Sequence, residues 1–203
     1  MVKKILCVIM VLAAAVVPAQ AVNLLWNSGF ETGTFEGWWT YLADTDNQAV
    51  GIVTSPVYEG SYAAQLFTGN GSSGQIGQDV AAYEGLNVTV GVAYYVPSGS
   101  WNGAGLTVQY LDSSWAYINY AYVPIFDYTT TGGGDDAWHL FSASTGEGLW
   151  TAPEGTAHIS FKIEQWGWTS GDGVVYDNAS VPEPATMVML GLGGLALVRR
   201  KRA

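Results

Sequence analysis

One cysteine serves the whole chain of 203 residues, and it stands near the start, at Cys7. With no second thiol there is no disulfide framework, so whatever folds downstream is held by packing or by a bound metal. Positive charge is as scarce. Of seven Lys and Arg residues, Lys3 and Lys4 open the chain and Arg199, Arg200, Lys201 and Arg202 close it, leaving Lys162 alone in residues 22–181. Sixteen of the seventeen acidic side chains fall in that same window, for a net charge of about −15. A surface of that sign repels phosphate backbones and draws divalent cations, which argues against nucleic acid as a partner. Histidine is limited to His139 and His158, and no Gly-x-Ser-x-Gly elbow is present. A nucleophilic triad therefore lacks its parts, no paired acid and base stand out by motif, and the chain is expected not to be an enzyme.

Long apolar runs are confined to the two ends. Residues 1–21 read MVKKILCVIMVLAAAVVPAQA: a basic start, an apolar stretch from Ile5 to Val17 and a small-x-small exit at Ala19-Gln20-Ala21. That is the layout of a secretory signal peptide cut by signal peptidase after Ala21. The second run, Ala185 to Val198, holds 14 residues. As a helix it is about 21 Å long against roughly 30 Å of bilayer hydrocarbon, short for a comfortable span.

Between these ends lie all nine Trp, twelve Tyr and six Phe, ample for one hydrophobic core. The period of this window is 2, not 3.6. Leu86, Val88, Val90, Val92 and Tyr94 alternate with Asn87, Thr89, Gly91, Ala93 and Tyr95, and Ala157, Ile159, Phe161 and Ile163 alternate with His158, Ser160, Lys162, Glu164 and Trp166. Further strands are expected at NLLWN, QAVGIVTS, SYAAQLF, QIGQDV, GLTVQYLD, WAYINYAYV, WHLFSAST and GVVYDNASV, separated by Gly- and Pro-bearing turns. About ten short strands at this spacing predict an all-β, antiparallel two-sheet jelly-roll sandwich.

The ordered set NLLWNSGFETGTFEGWW, VYEGSYAAQL, IGQDVAAYEGLNVTVGVAYYV, AWHLFSAS and VVYDNASV resembles carbohydrate-binding modules of the family 4 and 9 type, a galactose-binding-like jelly roll. The resemblance implies a structural Ca²⁺ where the first and last strands meet, with Glu31 and Asp177 as carboxylate ligands and carbonyls near Gly60 and Ser61 completing the shell. Equally, Glu31 and Asp177 can be turn and edge residues that cap backbone groups. The resemblance also implies a sugar groove on the polar faces of the central strands. Its candidate lining is Tyr95, Gln109, His158, Lys162, Glu164 and Trp166, with Trp115 and Trp168 on loops beside it. The alternative for any one of these aromatics is a place in the core.

The tail VPEPATMVMLGLGGLALVRRKRA closely resembles the PEP-CTERM sorting signal, also known as an ice-binding protein C-terminal domain. Pro182-Glu183-Pro184, the apolar run and the basic terminus Arg199, Arg200, Lys201 and Arg202 stand in the expected order. The four cations would hold the C-terminus in the cytoplasm by the positive-inside bias. Three regions result: a signal helix at 1–21, a sandwich at 22–181 and a sorting signal with a short membrane helix at 182–203. The resemblance implies an exported, single-pass precursor anchored transiently in the inner membrane, cleaved by an exosortase-type protease and passed to the cell surface or extracellular matrix. Polysaccharide binding is the expected role there; a matrix or adhesion protein without sugar specificity is the rival, and a polysaccharide-active enzyme a more distant one.

Overall fold

The computed structural model describes residues 22–46, 48–69, 71–128, 133–167 and 173–183. The chain divides into Asn23–Pro182, which forms a β-sandwich, and a second unit of residues 1–22 and 183–203, of which only Val22 and Glu183 are described. The signal segment, Trp168, Pro184, the apolar run and the four terminal cations lie outside the described residues. Among the described residues no helix is long and apolar enough to cross a membrane.

The strands are β1 (Trp39–Leu42), β2 (Gln48–Val53), β3 (Ala63–Thr68), β4 (Ser73–Ala81), β5 (Val90–Tyr95), β6 (Asn102–Leu111), β7 (Tyr117–Asp127), β8 (Trp138–Ala143), β9 (Glu147–Gly148), β10 (His158–Gly167) and β11 (Val174–Ser180). A six-stranded sheet has the order β1-β4-β10-β6-β7-β9 and a five-stranded sheet the order β2-β3-β11-β5-β8. All pairings are antiparallel.

The alternation expected of β10 holds. Ile159, Phe161 and Ile163 are fully buried, whereas His158, Lys162, Glu164 and Trp166 are partly exposed on the opposite face. Ala104, Leu106, Val108 and Tyr110 of β6 point inward with them, and Leu66, Val90, Val92, Val174 and Tyr176 of the other sheet complete the core. Each large apolar side chain removed from water contributes about 1.5–3 kcal/mol. Burial on this scale, not cross-linking, holds a cysteine-free domain together.

Gln165 shares the inward face of β10 yet is polar, and it is fully buried. Its Nε2 donates to the Leu66 carbonyl at 2.9 Å and to Thr68 Oγ1 at 3.0 Å, and its Oε1 accepts from the Tyr176 hydroxyl at 2.8 Å. A satisfied polar group of this kind is tolerated in a core, and it ties the two sheets together. Burial pushes the Tyr176 hydroxyl well above the usual tyrosine range.

NLLWN does not form an expected strand: Asn23 makes only an isolated bridge to Pro182. The cause is the Asn23 side chain, which donates to the Ala179 carbonyl at 2.9 Å and accepts from the amides of Val181 at 2.9 Å and Leu25 at 3.2 Å. Side-chain bonds there add to a single backbone bridge, in which the Leu24 amide donates to the Val181 carbonyl at 2.9 Å, and clasp the two ends of the sandwich. Two strands went unanticipated, β1 and the two-residue β9; both are sheet edges too short to show a period.

The outer faces of the sheets differ. Residues 54–62 run over the five-stranded sheet, where Tyr58 packs edge-on against Trp138 at 5.6 Å and the amides of Tyr58 and Glu59 donate to Asp177. Ala63, Ala93 and Val175 are buried on that face. The six-stranded sheet keeps aromatic side chains in solvent: Tyr41 is 54% and Tyr117 57% exposed.

Candidate functional site

Register fixes the outer face of the six-stranded sheet row by row. One row runs Trp39, Gly77, Lys162, Thr107, Tyr122 and Glu147 across all six strands. The next places Tyr41, Gln75, Glu164 and Gly105 together, and a third Ser73, Trp166 and Gly103. In the other direction lie Asp79, Ser160, Gln109 and Tyr120.

Three glycines on these rows let aromatic rings settle onto the sheet. A Cβ on Gly77 would stand 2.6 Å from Cε2 and Cη2 of Trp39. One on Gly103 would stand 2.7 Å from Cζ2 of Trp166, and one on Gly105 2.8 Å from the Tyr122 hydroxyl and 2.9 Å from its Cζ. Real side chains essentially never come that close, so the absence of a side chain on β4 and β6 is what seats the rings. Strand interiors carry glycine where something must approach the backbone closely. Trp39 is further held by its Nε1, which donates to Asp79 Oδ1 at 3.3 Å, and Lys162 Nζ stands 5.8 Å from the centroid of its ring. At neighbouring-strand spacings of about 4.8 Å, the Cα atoms of Trp39 and Tyr122 are roughly 19 Å apart, with Gln75, Lys162, Glu164 and Thr107 between them.

Burial pushes the Tyr122 hydroxyl up, and the charges of Glu164, Glu147 and Asp127 add to the rise. At the far end Trp115, on the β6–β7 turn at φ 67°, stacks on His158 with ring centroids 3.9 Å apart and planes 9° from parallel. The outer indole face remains open, the residue being 54% exposed.

Of the residues expected to line a sugar groove, Gln109, His158, Glu164 and Trp166 share this face, with Trp115 at its end. Tyr95 does not. It lies on β5 of the five-stranded sheet, where its hydroxyl donates to Asp136 Oδ1 at 3.1 Å, its ring packs on Trp138 at 5.8 Å, and it borders a cavity of about 280 Å³ with Ser55, Pro56 and Gln65. Alternation correctly turns Tyr95 away from the core, but the two sheets have separate outer faces. Trp39, Tyr41 and Tyr122 stand on this face as well and were not anticipated; Gly77, Gly103 and Gly105 inside strand sequences were the available signal.

The expected metal ligands also meet. Glu31, Gly60 and Asp177 line one cavity of about 300 Å³ with Gly29, Glu59 and Asn178. Asp177 is fully buried and accepts from the amides of Tyr58 at 3.0 Å, Glu59 at 3.1 Å and Asn178 at 2.6 Å. Glu31 accepts from the amides of Ser61 at 3.0 Å and Tyr62 at 3.2 Å. Ser61 thus meets Glu31 through its N–H, and Gly60, at φ 73°, lies against the carboxylate where a side chain would collide. Burial raises the Asp177 carboxyl above its ordinary range; the backbone donors pull it down, and the Glu31 charge pushes it up again. Lys162, the one described lysine, is on the other sheet. Two carboxylates that repel each other in a cavity fit an oxygen-seeking cation. No group of three His, Cys, Asp or Glu converges among the described residues, so backbone oxygen or water would have to supply the remaining ligands.

Comparison with known proteins bears on the tail and on the fold. Residues 180–202 match the PEP-CTERM protein-sorting motif. No curated protein matches the chain. Among solved structures, the carbohydrate-binding module TmCBM61, determined with β-1,4-galactotriose, superposes with a TM-score of 0.54 at 20% identity, covering 81% of this chain and 100% of that one. The CBM22-1 xylan-binding domain of Paenibacillus barcinonensis Xyn10C gives 0.53 at 14% identity, covering 81% and 96%. The enzymatically active domain of tailspike protein 4 from bacteriophage CBA120 gives 0.60 at 11% identity, covering 80% of this chain but only 22% of its own length. Identities this low carry the fold alone. The chain is a β-sandwich similar to carbohydrate-binding modules, with a PEP-CTERM protein-sorting motif at its end.

Proposed function

We propose that the sandwich binds polysaccharide across the outer face of the six-stranded sheet and that the sorting motif delivers it to the cell surface. The observation that carries this reading is the seating of Trp39, Trp166 and Tyr122 over Gly77, Gly103 and Gly105, with amide, hydroxyl and charged side chains between them. Rings fixed against the sheet stack on the apolar faces of sugars with little ordering cost, while the polar strip takes up hydroxyls. The ligands named for the galactotriose-bound and xylan-binding neighbours are of this chemical class, which supports the reading.

Binding without catalysis suits the carboxylates of the central strands. Asp79 stands four residues along β4 from Gln75, the register partner of Glu164, which puts the two acidic residues about 14 Å apart at the backbone. Acid and base in glycoside hydrolysis hold their carboxyl groups about 5–9.5 Å apart, which this pair could reach only with both side chains extended toward each other along the sheet. Asp79 is moreover bonded to Trp39.

The sorting reading makes the chain an exported precursor held transiently in the membrane by its tail and processed by an exosortase-type protease. Ca²⁺ in the Glu31–Asp177 cavity is proposed as a structural ion that would neutralise the pair and tie the segment around Phe30 to β11. The test is affinity electrophoresis of the full chain against neutral galactan, xylan and β-glucan. Retardation by at least one polymer is expected, weakened tenfold or more in Trp39→Ala and Trp166→Ala. A folded protein that ignores every polymer overturns the reading and leaves a matrix or adhesion role without sugar specificity.

A further inference from the structure

The sorting motif and the sandwich overlap. The match begins at Ser180, which is also the last residue of β11 and pairs with Gly91 of β5. Val181, the next residue, is 1% exposed and belongs to the core cluster. Both of its backbone groups are taken: its amide donates to Asn23 Oδ1 at 2.9 Å and its carbonyl accepts from the Leu24 amide at 2.9 Å. Pro182 makes the bridge to Asn23, and the same asparagine holds the Ala179 carbonyl through Nδ2. Beyond this the pairing is peripheral, Glu183 donating to the carbonyl of Val22, which is 56% exposed.

A processing enzyme takes its substrate as an extended segment whose amides and carbonyls are free to pair with the enzyme. Val181 has none to offer while the sandwich is folded, Ser180 is paired with Gly91, and releasing them costs the buried Val181 side chain and the bonds of Asn23. We propose that the fold itself sets the upstream limit of processing: the scissile bond is Pro182–Glu183 or one further along, and Ser180, Val181 and Pro182 remain in the mature domain as part of its structure. The first residues of the motif thereby serve as the closing edge of the sandwich, from the end of β11 to the Pro182 bridge. Scission breaks one peptide C–N bond; the acyl carbon takes the oxygen of water or the nitrogen of an acceptor amine, and the departing tail leaves as an amine that takes up the proton. The inference rests on the sorting reading of the tail and is independent of sugar binding.

The test is the intact mass of the protein recovered from a host with an exosortase-type processing system expressing the full chain. A product that has lost the apolar run and whose last residue is Pro182 or one shortly after it is expected. A product ending at Val181 or earlier overturns the limit while leaving the sorting reading in place; a chain that keeps residues 185–203 overturns both. Asn23→Ala frees the Val181 amide and the Ala179 carbonyl, and it is expected to add products ending upstream of Pro182. An Asn23→Ala product set identical to wild type overturns the assignment of the limit to this clasp. Should the variant fail to fold, the wild-type mass still decides.

Discussion

Gly103→Ala separates the seat of Trp166 from the strand that carries it. The new Cβ would stand 2.7 Å from Cζ2 of the indole and nearer still to Cε2 and Nε1, whereas ordinary contact begins at 3.4 Å, so the ring must lift by about 1 Å. The backbone tolerates the change, because Gly103 is not among the glycines at positive φ and alanine in a strand interior is favoured over glycine by roughly 0.5–1 kcal/mol. The lifted ring gives up several atom contacts at about 0.1–0.2 kcal/mol each. These terms nearly cancel, and the thermal midpoint of Gly103→Ala should stay close to that of wild type. Affinity should not. A ring that no longer presents its face loses a stacking contribution of about 0.5–1.5 kcal/mol, which raises Kd between about twofold and tenfold. Isothermal titration with a neutral polysaccharide measures it, tryptophan fluorescence reports the ring's displacement, and Gly51→Ala on β2, where a Cβ meets nothing within 4 Å, is the control. Wild-type affinity in Gly103→Ala, despite a shifted emission spectrum, would refute the stacking argument.

Three further outcomes are expected. Millimolar Ca²⁺ raises the thermal midpoint of wild type, by about 2.7 kcal/mol of stabilisation at a hundred times Kd, and leaves Glu31→Gln unmoved; equal shifts in both proteins would remove the ion from that cavity. In a chelator, the raised carboxyl of Asp177 makes the folded chain the better proton acceptor. Its stabilising contribution is therefore complete below the ordinary aspartate value of 3.8 and is lost as pH rises through the raised folded value. Urea midpoints across that window should fall more steeply in wild type than in Asp177→Asn. Gln165→Leu strips the Tyr176 hydroxyl and the Leu66 carbonyl of a partner at roughly 1–3 kcal/mol for each group left unpaired; an unfolding free energy within about 0.5 kcal/mol of wild type would show that the network carries little weight.

The period of 2 in β10 was enough to read a sandwich strand, since one buried face imposes it; in β5 the period is one of side-chain size, both faces being buried from Val90 to Ala93. Pairing was not readable in the same way. Tyr95 and Trp166 both alternate outward, and only register reveals that they stand on different sheets. Gln165 falls on the inward set with Ile159, Phe161 and Ile163; its polarity hid a position that the period alone would have assigned. Trp39 and Tyr122 escaped notice because β1 is only four residues long and because Tyr122 lies in a run, Tyr117 to Tyr122, with tyrosine on both sides of any alternation. Glu31 and Asp177 came from resemblance, and their meeting depends on a long-range closure that no local pattern encodes.

Nitrogen–proton correlation spectra of the full chain, recorded during titration with a neutral β-linked polysaccharide, test the proposed binding face most directly. Polysaccharide bound on the six-stranded sheet moves the indole resonances of Trp39 and Trp166 together, saturably, and leaves Trp138 on the opposite sheet in place. Saturable shifts confined to Trp138 and the neighbourhood of Tyr95, or no shift with any such polymer, would contradict it.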